Sequence, residues 1–272
     1  MNRLLIAVVA LLPIAVAGQT FQSSAGVGDL LVAPTRVVFD ERTRSAEITL
    51  VNTGTNATTY RLSFRHFRMQ SNGQLEEVAQ PDGERFADPY ILFTPRQVTL
   101  EPRVAQTIRL RLRVPPGADD GESRVHLEFR GLPPSGAADG DVGEGKIAIR
   151  ITPIYSVSIP LLVRRGAAGA AVSIDELEVQ GEGDSAAATF KLKRSGTLST
   201  YGNVAVRFLP SGGTGEATVG SMNGISIYVP QDERRVRIPL RAPVRNGVLK
   251  VMYVDAEGTP GAPPVEKDVV LP

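Results

Sequence analysis

The residues that most often carry enzyme chemistry are scarce in this chain, which has no cysteine and only two histidines. Neither His66 nor His126 stands in an HxxxH or Ser–His–Asp grouping. The absence of cysteine excludes a thiol nucleophile, a disulfide scaffold and a thiolate-ligated metal site. The chain also has no GxSxG motif and no phosphate-binding loop of the form GxxxxGK[ST]. We therefore expect no catalytic residue, no metal and no cofactor.

One segment has residues whose spacing suits binding. In 146–163 (KIAIRITPIYSVSIPLLV), Ile147, Ile149 and Ile151 alternate with small or polar residues. A strand with this alternation presents the three isoleucines on one face. Burying them contributes roughly 5–9 kcal/mol before the entropy of association is subtracted. The pattern alone favours an ordinary core strand, but the preceding 136–145 (GAADGDVGEG) predicts a long flexible loop, which suits a strand lent to a partner.

The same period of two recurs along the chain and predicts strands. In one such strand, apolar residues alternate with arginines, as in Ile108, Arg109, Leu110, Arg111, Leu112, Arg113 and Val114. In another, inward and outward residues alternate, as in Val125, His126, Leu127, Glu128, Phe129 and Arg130. Strands of this kind bury one face and expose the other, which is typical of antiparallel sheets. Frequent turns rich in glycine and proline favour a β-sandwich.

The chain divides at 164–170 (RRGAAGA). We predict a first domain over 29–165 and a second over 167–272, in which about seven strands in ~100 residues are typical of an Ig-like domain. The predicted fold is all-β, with two Ig-like β-sandwich domains in tandem. The 30 Lys and Arg residues nearly balance the 29 Asp and Glu residues. This balance indicates no nucleic-acid partner.

The first residues have the form of an export signal. Residues 1–17 carry one arginine, then an apolar run from Leu4 that closes on Ala15, Val16 and Ala17, a small-x-small cleavage pattern. The run is too short and wrongly flanked for a transmembrane anchor. We therefore predict a Sec signal peptide at 1–17, a periplasmic product and no membrane insertion.

Four short motifs of the first domain occur in an order that is typical of one family. They are 35–39 (TRVVF), 94–102 (TPRQVTLEP), 120–123 (DGES) and 132–134 (LPP). Together with the signal peptide and the two sandwiches, they resemble the periplasmic pilus-assembly chaperones of the PapD-like, chaperone–usher type. The family has Asp-Arg-Glu-Ser where this chain has a glycine in place of the arginine. Beyond the first domain the resemblance depends on strand count and on Tyr253-Val254-Asp255.

The resemblance implies that the protein lends a strand. In that family, a pilus subunit lacks its last strand, and the chaperone fills the exposed apolar groove with a strand of its own. The matching segment is 146–163, which makes Ile147, Ile149 and Ile151 the candidate subunit-binding residues. The implied partners are pilus or fimbrial subunits and an outer-membrane usher. Exposed strands also favour self-association of the free protein.

Arg36 is a candidate anchor by the same resemblance. In the family, the arginine of the TRVVF-like motif lies between the domains and binds the C-terminal carboxylate of the subunit. Taken alone, Arg36 is better explained as a solvated arginine that protects an edge strand, and it is the resemblance that favours the anchor. The family's lending strand also carries a lysine, and two alignments put Tyr155 or Ser158 at that position. Neither is basic, so the second anchor has moved, or hydroxyl groups replace it.

Buried charges join the two domains in the family. Glu122 and Asp255 stand at the matching positions, and Arg164 is expected to bridge them. The alternative is that all three are solvated, in which case each ion pair contributes only ~0–1 kcal/mol.

Three classes of function follow from these patterns. The first is a periplasmic chaperone that needs no nucleotide and delivers pilus subunits to an usher. The second is a secreted or periplasmic Ig-like adhesin or structural module, in which 146–163 is a self-sufficient strand. The third is a hydrolase built on Asp and Glu. The resemblance favours the chaperone, and we expect no enzyme.

Overall fold

A computed structural model describes six stretches of the 272-residue chain, which are 29–79, 85–133, 154–166, 169–213, 215–258 and 263–272. They contain strands and two short 3-10 turns, at Asp88–Tyr90 and Gly183–Ser185. No helix in these stretches is long and apolar enough to cross a bilayer. The predicted signal peptide and the three predicted subunit-binding isoleucines (Ile147, Ile149 and Ile151) lie outside the described residues.

The N-terminal domain is a sandwich of two sheets. Its described strands are β1 (Leu30–Ala33), β2 (Val37–Phe39), β3 (Ser45–Asn52), β4 (Thr58–Arg65), β5 (Phe67–Met69), β6 (Leu75–Glu77), β7 (Ile91–Thr94), β8 (Gln97–Leu100), β9 (Ala105–Leu112), β10 (Gly121–Gly131) and β11 (Ser156–Arg165). One sheet has the order β1-β3-β9-β7 and the other β2-β11-β10-β4-β8, while β5 and β6 form a separate hairpin. Neighbouring strands are antiparallel, except that β2 runs parallel to β11.

Alternating apolar residues fill the space between these sheets. On β9, Ile108 and Leu110 are buried, while Arg109 and Arg111 point to solvent, as the sequence pattern predicts. The inward residues of β10 also enter this core, and Phe129 is fully buried. Because consecutive side chains of a strand point to opposite faces, local alternation was enough to predict this core.

The outer face of β10 departs from the predicted alternation. His126 was expected on an exposed face, but it is only 2% exposed, and Arg124 on the same face is 8% exposed. The β5–β6 hairpin covers this face, and Arg124 Nη2 donates a hydrogen bond of 2.8 Å to the carbonyl of Phe67. Tyr228 of the C-terminal domain packs beside it. The prediction for His126 was wrong because these covering groups come from distant parts of the chain.

The C-terminal domain is a second sandwich. Its described strands are β12 (Ala170–Gln180), β13 (Ala187–Gly196), β14 (Thr200–Pro210), β15 (Ala217–Ile227), β16 (Glu233–Pro239), β17 (Gly247–Asp255) and β18 (Val265–Leu271). They form one sheet of order β12-β13-β16 and another of order β15-β14-β17-β18. A separate apolar core lies between the two sheets and includes Leu192, Val206 and Val251. The predicted all-β fold, with two Ig-like sandwiches in tandem, is confirmed.

The chain crosses from one sheet to the other between β1 and β2, and this crossing positions Arg36. β1 pairs with β3 in one sheet, and β2 pairs with β11 in the other. Residues 34–36 make the crossing between the two sheets. Arg36 is therefore held at the start of β2, beside the middle of β11.

The β5–β6 hairpin joins the two domains. Met69 of the hairpin, Leu162 of β11 and Tyr228 of the C-terminal domain form a small buried apolar contact. At the tip of the hairpin, the backbone N–H of Arg235 donates a hydrogen bond of 2.7 Å to the carbonyl of Ser71. Apolar burial and a backbone bond together stabilise the relative position of the two sandwiches.

Candidate functional site

Arg36 lies in the contact between the two domains and is nearly closed off from solvent. Its side chain is 8% exposed. Nε and Nη2 donate to the two carboxylate oxygens of Glu257, at 2.5 and 3.1 Å, which is a bidentate pair. Nη1 donates to the hydroxyl of Tyr228 at 3.4 Å, and the guanidinium lies 4.7 Å from the ring centroid of Tyr201. The predicted anchor is thus engaged by three residues of the C-terminal domain.

The carboxylate of Glu257 is shared between two arginines. Its Oε2 lies 2.9 Å from Nη2 of Arg164, which is the distance of an ion pair. Arg164 in turn donates from Nε to Oε2 of Glu122 at 3.0 Å. Positive and negative groups therefore alternate in the order Arg36, Glu257, Arg164 and Glu122. We call these four residues the interdomain cluster.

Glu122 is the most deeply buried member of the interdomain cluster, with its side chain only 1% exposed. It accepts hydrogen bonds from the backbone N–H of Ser199, at 3.1 Å, and from the hydroxyl of the same residue. Arg164 also donates to the carbonyl of Ser199, at 3.0 Å. Since buried charges are stable only when they are paired and hydrogen-bonded, these contacts fasten β10 and β11 to the C-terminal domain.

The ionisation of the interdomain cluster follows from its geometry. Burial raises the pKa of Glu257, but the hydrogen bond and charge of Arg36, together with the charge of Arg164, outweigh burial and hold the pKa below its usual value. Burial lowers the pKa of Arg36, but the hydrogen bond to Glu257 and the electrostatic interactions with Tyr228, Glu257 and Glu122 together outweigh burial, so the pKa of Arg36 is raised. Both groups are therefore charged at neutral pH.

Asp255 does not reach the arginines of the interdomain cluster. It ends β17, and its Oδ1 accepts a hydrogen bond of 2.8 Å from the backbone N–H of Glu257. The acidic partner of Arg164 that was expected at Asp255 is instead Glu257, while Asp255 supports the turn that carries Glu257. Both are acidic and two residues apart, so the pattern of residues alone does not distinguish them.

Tyr155 directly precedes β11, and Ser158 lies on that strand. The side chain of Tyr155 is among the exposed apolar groups, at 50%, and its carbonyl accepts the N–H of Gly131 at 3.0 Å. Ser158 is exposed and stands opposite Glu128 of β10. Within the described stretches, the hydrogen-bond and ring partners of Arg36 include neither residue. Their role in binding a subunit stays a prediction.

Within the described stretches, one half of β11 has a free edge. β10 pairs with β11 along its whole length, whereas β2 pairs with it only at 161–163. In the part of the chain that the structure describes, residues 156–160 are therefore paired on one side only. Pro160, which has no N–H to donate, falls in this stretch, where a proline is tolerated. This edge lies within 146–163, the segment that was predicted to be lent.

Two aromatic residues of the site had no signal in the sequence. Tyr228 lies between two arginines, with its ring centroid 4.2 Å from Cζ of Arg124 and 5.7 Å from Cζ of Arg36. The ring of Tyr201 also lies against Arg36, with its centroid 4.7 Å from Cζ. Cation–π contacts of this kind stabilise a desolvated guanidinium and restrict its orientation. Nothing in the local pattern around either tyrosine indicated such a contact.

His126 makes the stability of the protein depend on pH. Its ring packs edge-on against Phe67 and Tyr228, with centroid distances of 5.0 and 6.1 Å. Burial, helped by the positive charges of Arg124 and Arg36, lowers the pKa of His126 to about 3. In the unfolded chain a histidine takes up a proton near pH ~6.5. Acid therefore favours the unfolded state.

We expect the free energy of unfolding to fall as the pH is lowered from ~6.5 towards 3, by at most ~1.4 kcal/mol per pH unit from His126. Urea unfolding at pH 7 and pH 5 measures this slope in a window above the titration of most carboxylates. In the His126→Gln variant, the free energy of unfolding should change less between pH 7 and pH 5, because the titrating group has been removed. An equal slope in the wild type and the variant would contradict the assignment.

Residues 29–164 match the family model of the PapD N-terminal domain, described as a pili and flagellar-assembly chaperone. No match was found among curated proteins.

Similar solved structures share 14% sequence identity with this chain. One is the YadV chaperone, with a TM-score of 0.46, covering 89% of this chain and 100% of that one. Another is the CupB2 chaperone of Pseudomonas aeruginosa, with a TM-score of 0.42 and coverage of 89% and 100%. A third comes from the complex of the SafA pilin with the SafB chaperone of Salmonella enterica, with a TM-score of 0.44 and coverage of 90% and 99%.

Proposed function

Because the chain belongs to the family of pili and flagellar-assembly chaperones, we propose that it binds incomplete Ig-like pilus or fimbrial subunits by lending them a strand and delivers them to an outer-membrane usher. The family is a class of chaperones and not of enzymes. We place this activity in the periplasm, which the protein reaches through the signal peptide at 1–17. The alternative is an Ig-like adhesin or structural module.

The observation that carries the proposal is the free edge of β11. Residues 156–160 have a β10 partner on one side and no described partner on the other. Unpaired N–H and C=O groups at a sheet edge are a template for a further strand. A subunit that lacks a strand supplies complementary groups, and the two chains then form one continuous sheet.

The order of residues along β11 supports the choice of lent side chains. Ile159 and Leu161 face the core of the N-terminal domain, so the odd-numbered residues of β11 share one face. The isoleucines at 147, 149 and 151 are also at odd-numbered positions. A strand that continues towards the N-terminus in this register presents them to a groove on the core side.

Aspartate at two of these isoleucines is expected to abolish capture of a subunit. Burial of an isoleucine contributes ~1.5–3 kcal/mol, so Ile149→Asp/Ile151→Asp should weaken capture by more than about 100-fold. The measurement is co-purification from the periplasm with tagged, co-expressed Ig-like subunits encoded beside this protein. Circular dichroism establishes that each variant is folded.

The matched control is Ala148→Asp, which adds one charge in the same segment at a position of opposite parity. We expect this variant to retain the subunit. If Ile149→Asp/Ile151→Asp unfolds the protein instead, 146–163 is a core strand and the structural-module alternative is favoured. Equal capture by both variants and the wild type would overturn the choice of the lent strand.

A further inference from the structure

In the free protein, the carboxylate of Glu257 is bonded to the guanidinium group of Arg36. Both oxygens of Glu257 are bonded to Arg36, whose side chain is only 8% exposed. The rings of Tyr201 and Tyr228 lie against the same guanidinium. The Nε–Nη2 edge of Arg36 therefore becomes available to an incoming carboxylate only when Glu257 leaves.

We propose that Glu257 is an internal stand-in for the C-terminal carboxylate of the subunit, and that the subunit binds by taking its place on Arg36 and Arg164. The identity of the incoming group depends on the proposed function. The site itself depends only on the two guanidinium groups and the carboxylate between them. Glu257 thereby closes the anchor while no subunit is bound.

The position of Glu257 identifies the second cation of the site. Its Oε2 lies 3.1 Å from Nη2 of Arg36 and 2.9 Å from Nη2 of Arg164. A carboxylate that replaces it meets both guanidinium groups at once. Arg164 comes from β11, the strand expected to be lent, and it supplies the positive charge that neither Tyr155 nor Ser158 provides.

The exchange keeps the buried charges balanced. Removing a partner from a buried charge costs several kcal/mol, but one carboxylate here replaces another, so Arg36 and Arg164 stay paired. Glu257 is the more accessible member of its pair, with a side chain 21% exposed, and it lies beyond the end of β17. Movement of this short segment exposes Glu257 to water, where a free carboxylate is well solvated.

The test measures carboxylate binding to the isolated full-length protein. The probe is acetylated tetra-alanine with a free C-terminal carboxylate, and its C-terminal amide is the matched negative control. Binding is followed by the NMR signals of the arginine Nε–H groups, assigned with Arg36→Ala and Arg164→Ala. We expect Glu257→Gln to bind the free-acid peptide at least about tenfold more tightly than the wild type, since the internal competitor has lost its charge. The shifts should appear at Arg36 and Arg164 and be absent with the amide.

The control variant is Glu216→Gln, which removes a carboxylate bonded at 3.1 Å to Arg207 in the same domain, away from the interdomain cluster. It should bind the peptide as the wild type does. Unchanged binding by a folded Glu257→Gln variant would overturn the exchange. If Glu257→Gln does not fold, Glu257→Asp is used, because it keeps the charge but shortens the reach to Arg36, and tighter binding is again expected.

Failure of both variants to fold would also overturn the exchange, which requires that the protein stay folded while Glu257 leaves Arg36.

The result of the peptide experiment can be distinguished from the result for the proposed function. If Glu257→Gln binds the peptide but no subunit is captured by the wild type, the carboxylate site stands and the chaperone proposal fails. If subunits are captured but the peptide gains nothing from Glu257→Gln, the chaperone proposal stands and the exchange fails.

Discussion

Replacing Glu122 by alanine is expected to lower the free energy of unfolding by about 3–5 kcal/mol, because the groups bonded to its carboxylate lose a buried negative partner. The Glu122 carboxylate is 1% exposed and is paired with Arg164. It also accepts both the backbone N–H and the hydroxyl of Ser199. Alanine cannot replace any of these bonds, so a guanidinium and two donors lose an acceptor in a place that water does not reach.

Urea denaturation of Glu122→Ala, followed by circular dichroism, measures this loss. The matched control is Glu47→Ala in the same domain, where the carboxylate is 63% exposed and lies 3.4 Å from Arg109. An exposed pair of this kind contributes only about 0–1 kcal/mol. If Glu122→Ala loses no more stability than the control, the interdomain cluster does not stabilise the fold.

Replacing Arg36 by alanine is expected to weaken capture of a subunit by about 30-fold or more. Loss of one partner from a buried, hydrogen-bonded charge pair costs 2–5 kcal/mol or more, and 2 kcal/mol corresponds to about 30-fold. In the proposed complex, the C-terminal carboxylate of the subunit then loses its bidentate partner and keeps only Arg164. The measurement is co-purification with co-expressed subunits, quantified against the wild type.

Two variants make the result for Arg36 specific. Arg109→Ala removes an arginine that is 77% exposed on β9, and it should capture subunits as the wild type does. Arg36→Lys keeps the charge but cannot form a bidentate pair, so it should recover only part of the affinity. Full capture by Arg36→Ala would show that the anchor lies elsewhere, and the free energy of unfolding of each variant separates a binding defect from a folding defect.

The sandwich fold could be predicted from local pattern, because the alternation of apolar and polar residues in each strand indicates which face is buried. The alternation of Ile108, Arg109 and Leu110 assigns one side of β9 to the core and the other to water. The same reasoning was wrong for His126, since that face of β10 is covered by the β5–β6 hairpin and by Tyr228. A pattern of period two records which residues share a face, but not what lies against that face.

The candidate site could be predicted only in part. Arg36, Glu122 and Arg164 were predicted through the family resemblance, and the structure brings all three to one contact between the domains. Glu257 could not be chosen over Asp255, because the two are close in sequence and differ only in where the turn directs them. The strand predicted to be lent, at 146–163, lies only partly in the described residues, and its role stays a prediction.

The amino-acid sequence by itself determined the strands, their buried faces, the division into two sandwiches and the family, because these depend on neighbouring residues and short motifs. Only the tertiary structure decided which charges meet. Arg36 and Glu257 are separated by 221 positions along the chain. They pair because the crossing before β2 and the turn after β17 bring their side chains to the same contact between the domains. The strength of a charge pair depends on distance and desolvation, and both are set by how the two domains pack against each other.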